Sequence, residues 1–151
     1  MEKKFLVDAE LGKLAKWLRI MGYDAHYQPF YNSEHIRAFA KQGRVLLTRN
    51  AQRLLQWEGA VFLRPDRLNE QLQQLKQEGL IAACRSKWFS RCVRCNRPLL
   101  EAEPEAVTEN VPEYVFLKNP SGILFCPSCN RFFWPGSHRQ RMITQLETWG
   151  F

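Results

Sequence analysis

The chain has no apolar run long enough to cross a bilayer, because charged residues interrupt every such stretch within a few positions. It also lacks the pattern of an export leader. The opening Met1-Glu2-Lys3-Lys4 is followed by Asp8, Glu10 and Lys13, which break any signal core. A cytoplasmic protein without membrane contact is expected. There is no low-complexity tract, and no internal repeat beyond two cysteine pairs. Negative charge is scarce too. Fifteen Asp and Glu face 22 Lys and Arg, a formal net charge of +7. That balance favours an anionic partner, nucleic acid first, although small soluble proteins can be basic without one. Residues 1–90 hold 15 Lys/Arg against 9 Asp/Glu, and residues 91–151 hold 7 against 6, so the excess belongs to the first part.

What is present suits a globular protein. The 151 residues are 45% apolar and 25% charged, enough for one ordinary domain or two small ones. Lys3 to Val7 predicts a short buried strand ending at Asp8. The helix after it places Leu11, Leu14, Ala15, Leu18 and Met21 on one face, and Gly22 suits its left-handed C′ position. Asp24 to Gln28 predicts a second strand. Ser33 is the expected N-cap of a second helix, with Glu34 in its first turn and Gly43 after it. Arg44 to Thr48 fits a strand buried on both faces. Asn50 is the expected N-cap of a helix over 51–57. Residues 60–63 form one more strand, and Leu68, Leu72 and Leu75 mark the last helix of this part. Four strand–helix units in 80 residues argue for a parallel α/β sheet with right-handed crossovers. The expected division is an α/β domain over 1–80, a connector over 81–91 and a small β-rich module over 92–151.

In that module, Tyr114 to Leu117, Ile123 to Phe125 and Arg131 to Trp134 predict strands, with a hairpin turn at Pro120-Ser121-Gly122. Pro104 and Pro112 bracket an expected acidic loop. Cys92, Cys95, Cys126 and Cys129 form two Cys-x-x-Cys pairs with thirty residues between them. In a chain without an export signal this spacing points to metal rather than disulfides. Four thiolates close a tetrahedron around Zn2+ and leave no open position, so the ion would be structural. Cys84 has no pairing partner in the pattern and is expected as a small buried residue.

In a parallel sheet Asp8, Asn50 and Asp66 follow strand ends on one edge, where α/β proteins bind ligands. Glu34 could be turned toward the same cleft. Acids gathered there would hold Mg2+ or Mn2+ through hard oxygen ligands and orient water for phosphodiester cleavage. The structural alternatives are a helix cap for Asp66, a strand-edge role for Asp24 and a dipole role for Glu34. Lys13, Lys16 and Arg19 recur every three residues, as phosphate contacts or as a solvated helix face. His138 follows Trp134-Pro135-Gly136-Ser137 and is expected as a loop residue that contacts a phosphate or the other module, or that serves structure alone.

Four blocks carry a resemblance. Val7-Asp8-Ala9-x-Leu11-Gly12-x-Leu14-Ala15-x-Trp17-Leu18-Arg19-x-x-Gly22-Tyr23-Asp24 is similar to the opening of the Mut-7 C-terminal ribonuclease domain. Gly43-Arg44-Val45-Leu46-Leu47-Thr48-Arg49 resembles its second block. Arg91-Cys92-x-x-Cys95-Asn96 and Cys126-x-x-Cys129-x-Arg131-x-x-Trp134-Pro135-Gly136-Ser137-His138-x-x-Arg141-Met142 resemble its zinc ribbon. The resemblance implies a PIN-like nuclease fold joined to a ribbon, and a metal-dependent RNase built on acids. It departs at Asn50, where the family pattern has Asp, and at Asn32 in the loop before the second helix, where acids are usual.

The resulting expectation is a ribonuclease with Asp8, Glu34, Asn50, Asp66 and Asp24 around Mg2+ or Mn2+, with Lys13, Lys16, Arg19, Arg49 and His138 on the RNA. The alternative is an RNA-binding module weakened in catalysis. A third reading is a protein adaptor using the ribbon and Trp88-Phe89.

Overall fold

The computed structural model describes residues 2–151. Contacts divide the chain into two compact units, Met1–Asn96 and Arg97–Phe151. The connector and the first cysteine pair therefore count with the α/β unit.

The first unit runs β1 (Phe5–Val7), α1 (Gly12–Ile20), β2 (Ala25–Tyr27), α2 (Ser33–Ala40), β3 (Val45–Thr48), α3 (Ala51–Gln56), β4 (Val61–Phe62) and α4 (Leu68–Gln77). All strand pairs are parallel, in the order β2-β1-β3-β4. Phe5 lies opposite Ala25 on one side and Val45 on the other. Alternate strand residues feed opposite faces. Leu6 and Leu46 join Tyr31 and Ile36 in one core, with Phe39, Trp57 and Ala60 packed around it. The helix α1 packs on α4. Leu14, Leu18, Leu72 and Leu75 are almost fully buried, each worth roughly 1.5–3 kcal/mol of apolar transfer.

The predicted apolar face of α1 is buried in full. Its end is a Schellman motif, with Tyr23 N–H donating to Leu18 O and Gly22 N–H to Arg19 O. Gly22 has φ +93°, and a Cβ there would collide with Lys87 O, so the connector passes directly over it. The cap of α2 is Asn32 rather than the expected Ser33. Asn32 Oδ1 accepts His35 N–H, and His35 Nδ1 reaches back to Asn32 N–H. Asn50 caps α3 as expected, accepting Gln52 N–H. Cys84 is exposed, not buried, because it precedes the surface turn Arg85–Lys87.

The second unit contains β5 (Leu100–Glu101), α5 (Pro104–Asn110), α6 (Glu113–Lys118), β6 (Leu124–Phe125), β7 (Phe132–Phe133) and α7 (Ser137–Thr148). The sheet β5-β6-β7 is antiparallel. Two expectations fail here. The acidic segment between Pro104 and Pro112 is helical, opened by Pro104 at its first position. Tyr114 to Leu117 is helical too, since Val115 is buried while Tyr114 and Leu117 face solvent. The hairpin consequently joins β6 to β7 through the second cysteine pair, not through Pro120-Ser121-Gly122. Val107, Val111, Val115 and Ile123 form the core of this unit. Among the described residues, no helix is long and apolar enough to cross a membrane.

Candidate functional site

The strand order places a crossover reversal between β1 and β3. From β1 the chain steps outward to β2, then returns past β1 to build β3 and β4. The connections leave in opposite directions at that point, which opens a crevice beyond the carboxyl ends of β1 and β3. Asp8 ends β1 there, and Thr48, Arg49 and Asn50 end β3.

Asp8 is buried, with 2% of its surface exposed. Its Oδ1 accepts Ala9 N–H at 2.8 Å, capping a short 3-10 turn over Ala9–Leu11. Its Oδ2 accepts the Thr48 hydroxyl at 2.7 Å and pairs with Arg53 Nε at 3.1 Å. A buried carboxylate without a cation is costly, and Arg53 supplies one. Arg53 also donates to Tyr31 O at 3.3 Å. Thr48 Oγ1 in turn accepts Asn50 N–H. Glu10 Oε1 accepts Arg49 N–H, and Tyr27 donates its hydroxyl proton to Ala9 O at 2.6 Å. The crevice is thus a network of paired polar groups around the buried Asp8 carboxylate, with the Glu10 carboxylate beside it. Burial pushes the Tyr31 phenol up, so it stays protonated beside this network while accepting Gln28 N–H.

The other expected acids are not gathered at Asp8. Asp24 precedes β2 and lies level with Lys4 and Arg44, at the amino-terminal edge of the sheet, because parallel strands carry their starts to one side and their ends to the other. There it pairs with Arg44 at 2.7 Å and accepts Asn96 Nδ2 at 2.7 Å. Glu34 is exposed in the first turn of α2. Asp66 is exposed and stands one residue before Arg67, the N-cap of α4, so it does not occupy the cap position. Asn50 Oδ1 is engaged in the helix cap. Among the described residues, no three acids come within ligating reach of one ion. The residues present therefore do not form the multi-acid Mg2+ or Mn2+ centre that the resemblance implies; Asp8, held by Arg53, and Glu10, on Arg49 N–H, are the carboxylates at this edge.

The basic residues divide as well. Lys13 and Lys16 are exposed on α1. Arg19, on the same stripe, is buried, donating Nε to Ala25 O at 2.9 Å and NH1 to Val93 O at 2.8 Å. Arg49 donates NH1 to the carbonyls of Leu63, Arg64 and Pro65, bracing the loop after β4. Two expected phosphate contacts thus hold backbone together. His138 is exposed in the first turn of α7, not in a loop.

The cysteines come together fully. The sulfurs of Cys92, Cys95, Cys126 and Cys129 lie within 4.8 Å of one another, close to the separation of about 3.8 Å that four Zn–S bonds impose. Such a cluster could hold a metal such as zinc. The two pairs share one local design. Asn96 N–H donates to Cys92 O and Asn130 N–H to Cys126 O, both at 2.8 Å. Both asparagines have φ +59°, the left-handed region that Asn tolerates. Asn96 also ties its pair to the sheet, accepting Ala25 N–H on Oδ1.

Sequence reasoning did not single out Thr48, Arg53 or Glu10. Thr48 lay within a matched block but carried no role, and the ion pair of Arg53 spans 45 residues that no local pattern connects.

The family model described as the Mut7-C RNAse domain matches residues 3–146. Comparison with curated proteins and with solved structures gives no match.

Proposed function

Because the chain belongs to the Mut7-C RNAse domain family, we propose that it binds RNA across the carboxyl-terminal edge of a PIN-like sheet, without efficient metal-dependent cleavage. The observation that carries this reading is the Asp8 carboxylate, buried and paired with Arg53 at 3.1 Å, and belonging to no cluster of three acids among the described residues. Lys13 and Lys16, exposed on α1, would contact the phosphate backbone. His138, exposed on α7 of the second unit, would be a separate contact of that unit with RNA. The cysteine quartet would hold one structural Zn2+, since a four-thiolate set leaves no position for a substrate.

A second reading keeps the activity of the family: hydrolysis of RNA phosphodiesters with Mg2+ or Mn2+ at Asp8, assisted by Glu34 and Asp66. The family match favours it. A third, the protein adaptor, rests on the ribbon and on Trp88-Phe89, where Trp88 is buried and so offers little surface to a partner.

Incubation of the zinc-loaded protein with labelled single-stranded RNA and Mn2+, beside Asp8→Asn, separates the three. RNA retained by both proteins, with no cleavage by either, supports the binding reading. Cleavage by the wild type that Asp8→Asn abolishes overturns it in favour of the nuclease. Failure of both to bind at low salt removes RNA as the partner.

A further inference from the structure

We infer that the Arg53 guanidinium is the resident cation of the Asp8 crevice, in the charge role that a divalent ion plays beside clustered carboxylates, so that this chain engages its ligand without Mg2+ or Mn2+. The inference rests on the same crevice as the RNA-binding reading, but it concerns cation occupancy and is tested apart from RNA.

Three observations carry it. First, the carboxylate has little capacity left. Of the roughly four lone-pair directions of an ionised carboxylate, three are taken: Oδ1 by Ala9 N–H, and Oδ2 by the Thr48 hydroxyl and Arg53 Nε. Second, Arg53 is anchored at both ends of its fork. While Nε faces Asp8, NH2 donates to Tyr31 O, in the loop before α2. Tyr31 is itself 4% exposed and packed in the core with Leu6 and Ile36. The guanidinium therefore has a fixed seat between two secondary elements. Third, Glu10 is the other carboxylate at this edge and its Oε1 is engaged by Arg49 N–H, while the strand-end position after Arg49 is occupied by a neutral side chain. Asn50 uses its Oδ1 on Gln52 N–H, three residues before Arg53 on the same helical turn.

The electrostatics point the same way. A divalent ion at Asp8 would stand close to a guanidinium that is already hydrogen-bonded there. Like charges about 4 Å apart near a protein surface repel by several kcal/mol. Metal entry would require Arg53 to leave, and Tyr31 O would lose its donor. One buried acid facing one arginine is a neutral pair, whereas one acid facing a divalent ion leaves a net positive charge. Reversal should need two changes together, removal of the guanidinium and addition of a carboxylate.

The test is Mn2+ binding to the full zinc-loaded chain, read by electron paramagnetic resonance of free Mn2+. The wild type should bind no Mn2+ through Asp8, so its titration should coincide with that of Asp8→Asn. The double variant Asn50→Asp with Arg53→Gln should bind at least ten-fold more tightly than the wild type, while Asn50→Asp alone should gain little. Circular dichroism reports whether each variant is folded. Asp8-dependent Mn2+ binding by the wild type overturns the inference, whatever the variants do. A folded double variant with no gain overturns it as well. Should the double variant not fold, the comparison of wild type with Asp8→Asn decides alone. RNA retention measured in parallel without metal separates the two ideas. If RNA does not bind but the Mn2+ pattern holds, the RNA-binding reading fails and the role of Arg53 stands.

Discussion

The Thr48 hydroxyl donates to Asp8 Oδ2 at 2.7 Å, joining the ends of two strands forty residues apart in the chain. Thr48 Oγ1 also accepts Asn50 N–H. Thr48 is fully buried, so it serves as donor to the acid and as acceptor for the turn that starts α3. This one hydroxyl links the carboxylate to the helix that carries Arg53.

Thr48→Val keeps the shape but removes both hydrogen bonds. We expect a loss of about 1–3 kcal/mol, the usual cost of leaving buried partners unsatisfied. Thr48→Ser should recover most of it. Urea denaturation of the three proteins, followed by far-ultraviolet circular dichroism, measures the difference.

The basic stripe on α1 should behave as two classes. Lys13→Gln and Lys16→Gln should each lower the salt slope of RNA binding by about 0.7, the value for one phosphate contact on a single strand. Arg19→Gln should leave the slope unchanged and instead cost roughly 1–3 kcal/mol of stability, because the carbonyls of Ala25 and Val93 lose a buried donor. Binding isotherms over a range of salt, with melting curves for each variant, distinguish the classes.

Asp24 should give the first unit an acid limb. Burial pushes its carboxyl up, but the hydrogen bonds from Arg44 and Asn96 outweigh this and hold the group below the usual carboxylate range. A depressed folded value means that the contribution is present above the unfolded value of about 3.9 and disappears as pH falls through the folded value. Stability should therefore decline below about pH 4 through this residue. In Asp24→Asn that decline should be shallower. Tryptophan fluorescence in urea, taken at successive pH values, tests it.

Metal removal should be structural in effect. Inductively coupled plasma analysis should find about one Zn2+ per chain, as four thiolates bind one tetrahedral ion. A strong chelator, or Cys126→Ser, should abolish that stoichiometry and reduce helix and strand signals, because small modules of this kind gain much of their folding energy from the metal. A metal-free protein with an unchanged spectrum would overturn the assignment.

The sequence by itself determined the four strand–helix units, the buried face of α1, the cap at Asn50 and the cysteine quartet. Each depends on spacing within a few residues or on a motif of fixed interval. The helices α5 and α6 were less legible. Tyr114-Val115-Phe116-Leu117 has the composition of a strand, and its helical state follows from burying Val115 against Val107, Val111 and Ile123 while Tyr114 and Leu117 stay in solvent. Pro104 carried a helix signal of its own, at the first position with Glu105 after it. The site was legible only in part. Asp8 could be assigned to a strand end, but its partners could not. Thr48 and Arg53 reach it only because the sheet orders its strands β2-β1-β3-β4, and Asp24 is carried to the opposite edge because all four strands run the same way. Arg19 and Lys16 belong to one stripe in the sequence, and burial alone separates them. Local chemistry decides what a side chain can bind; the tertiary fold decides which charge stands opposite it, because electrostatic partners depend on distances in space rather than on spacing along the chain.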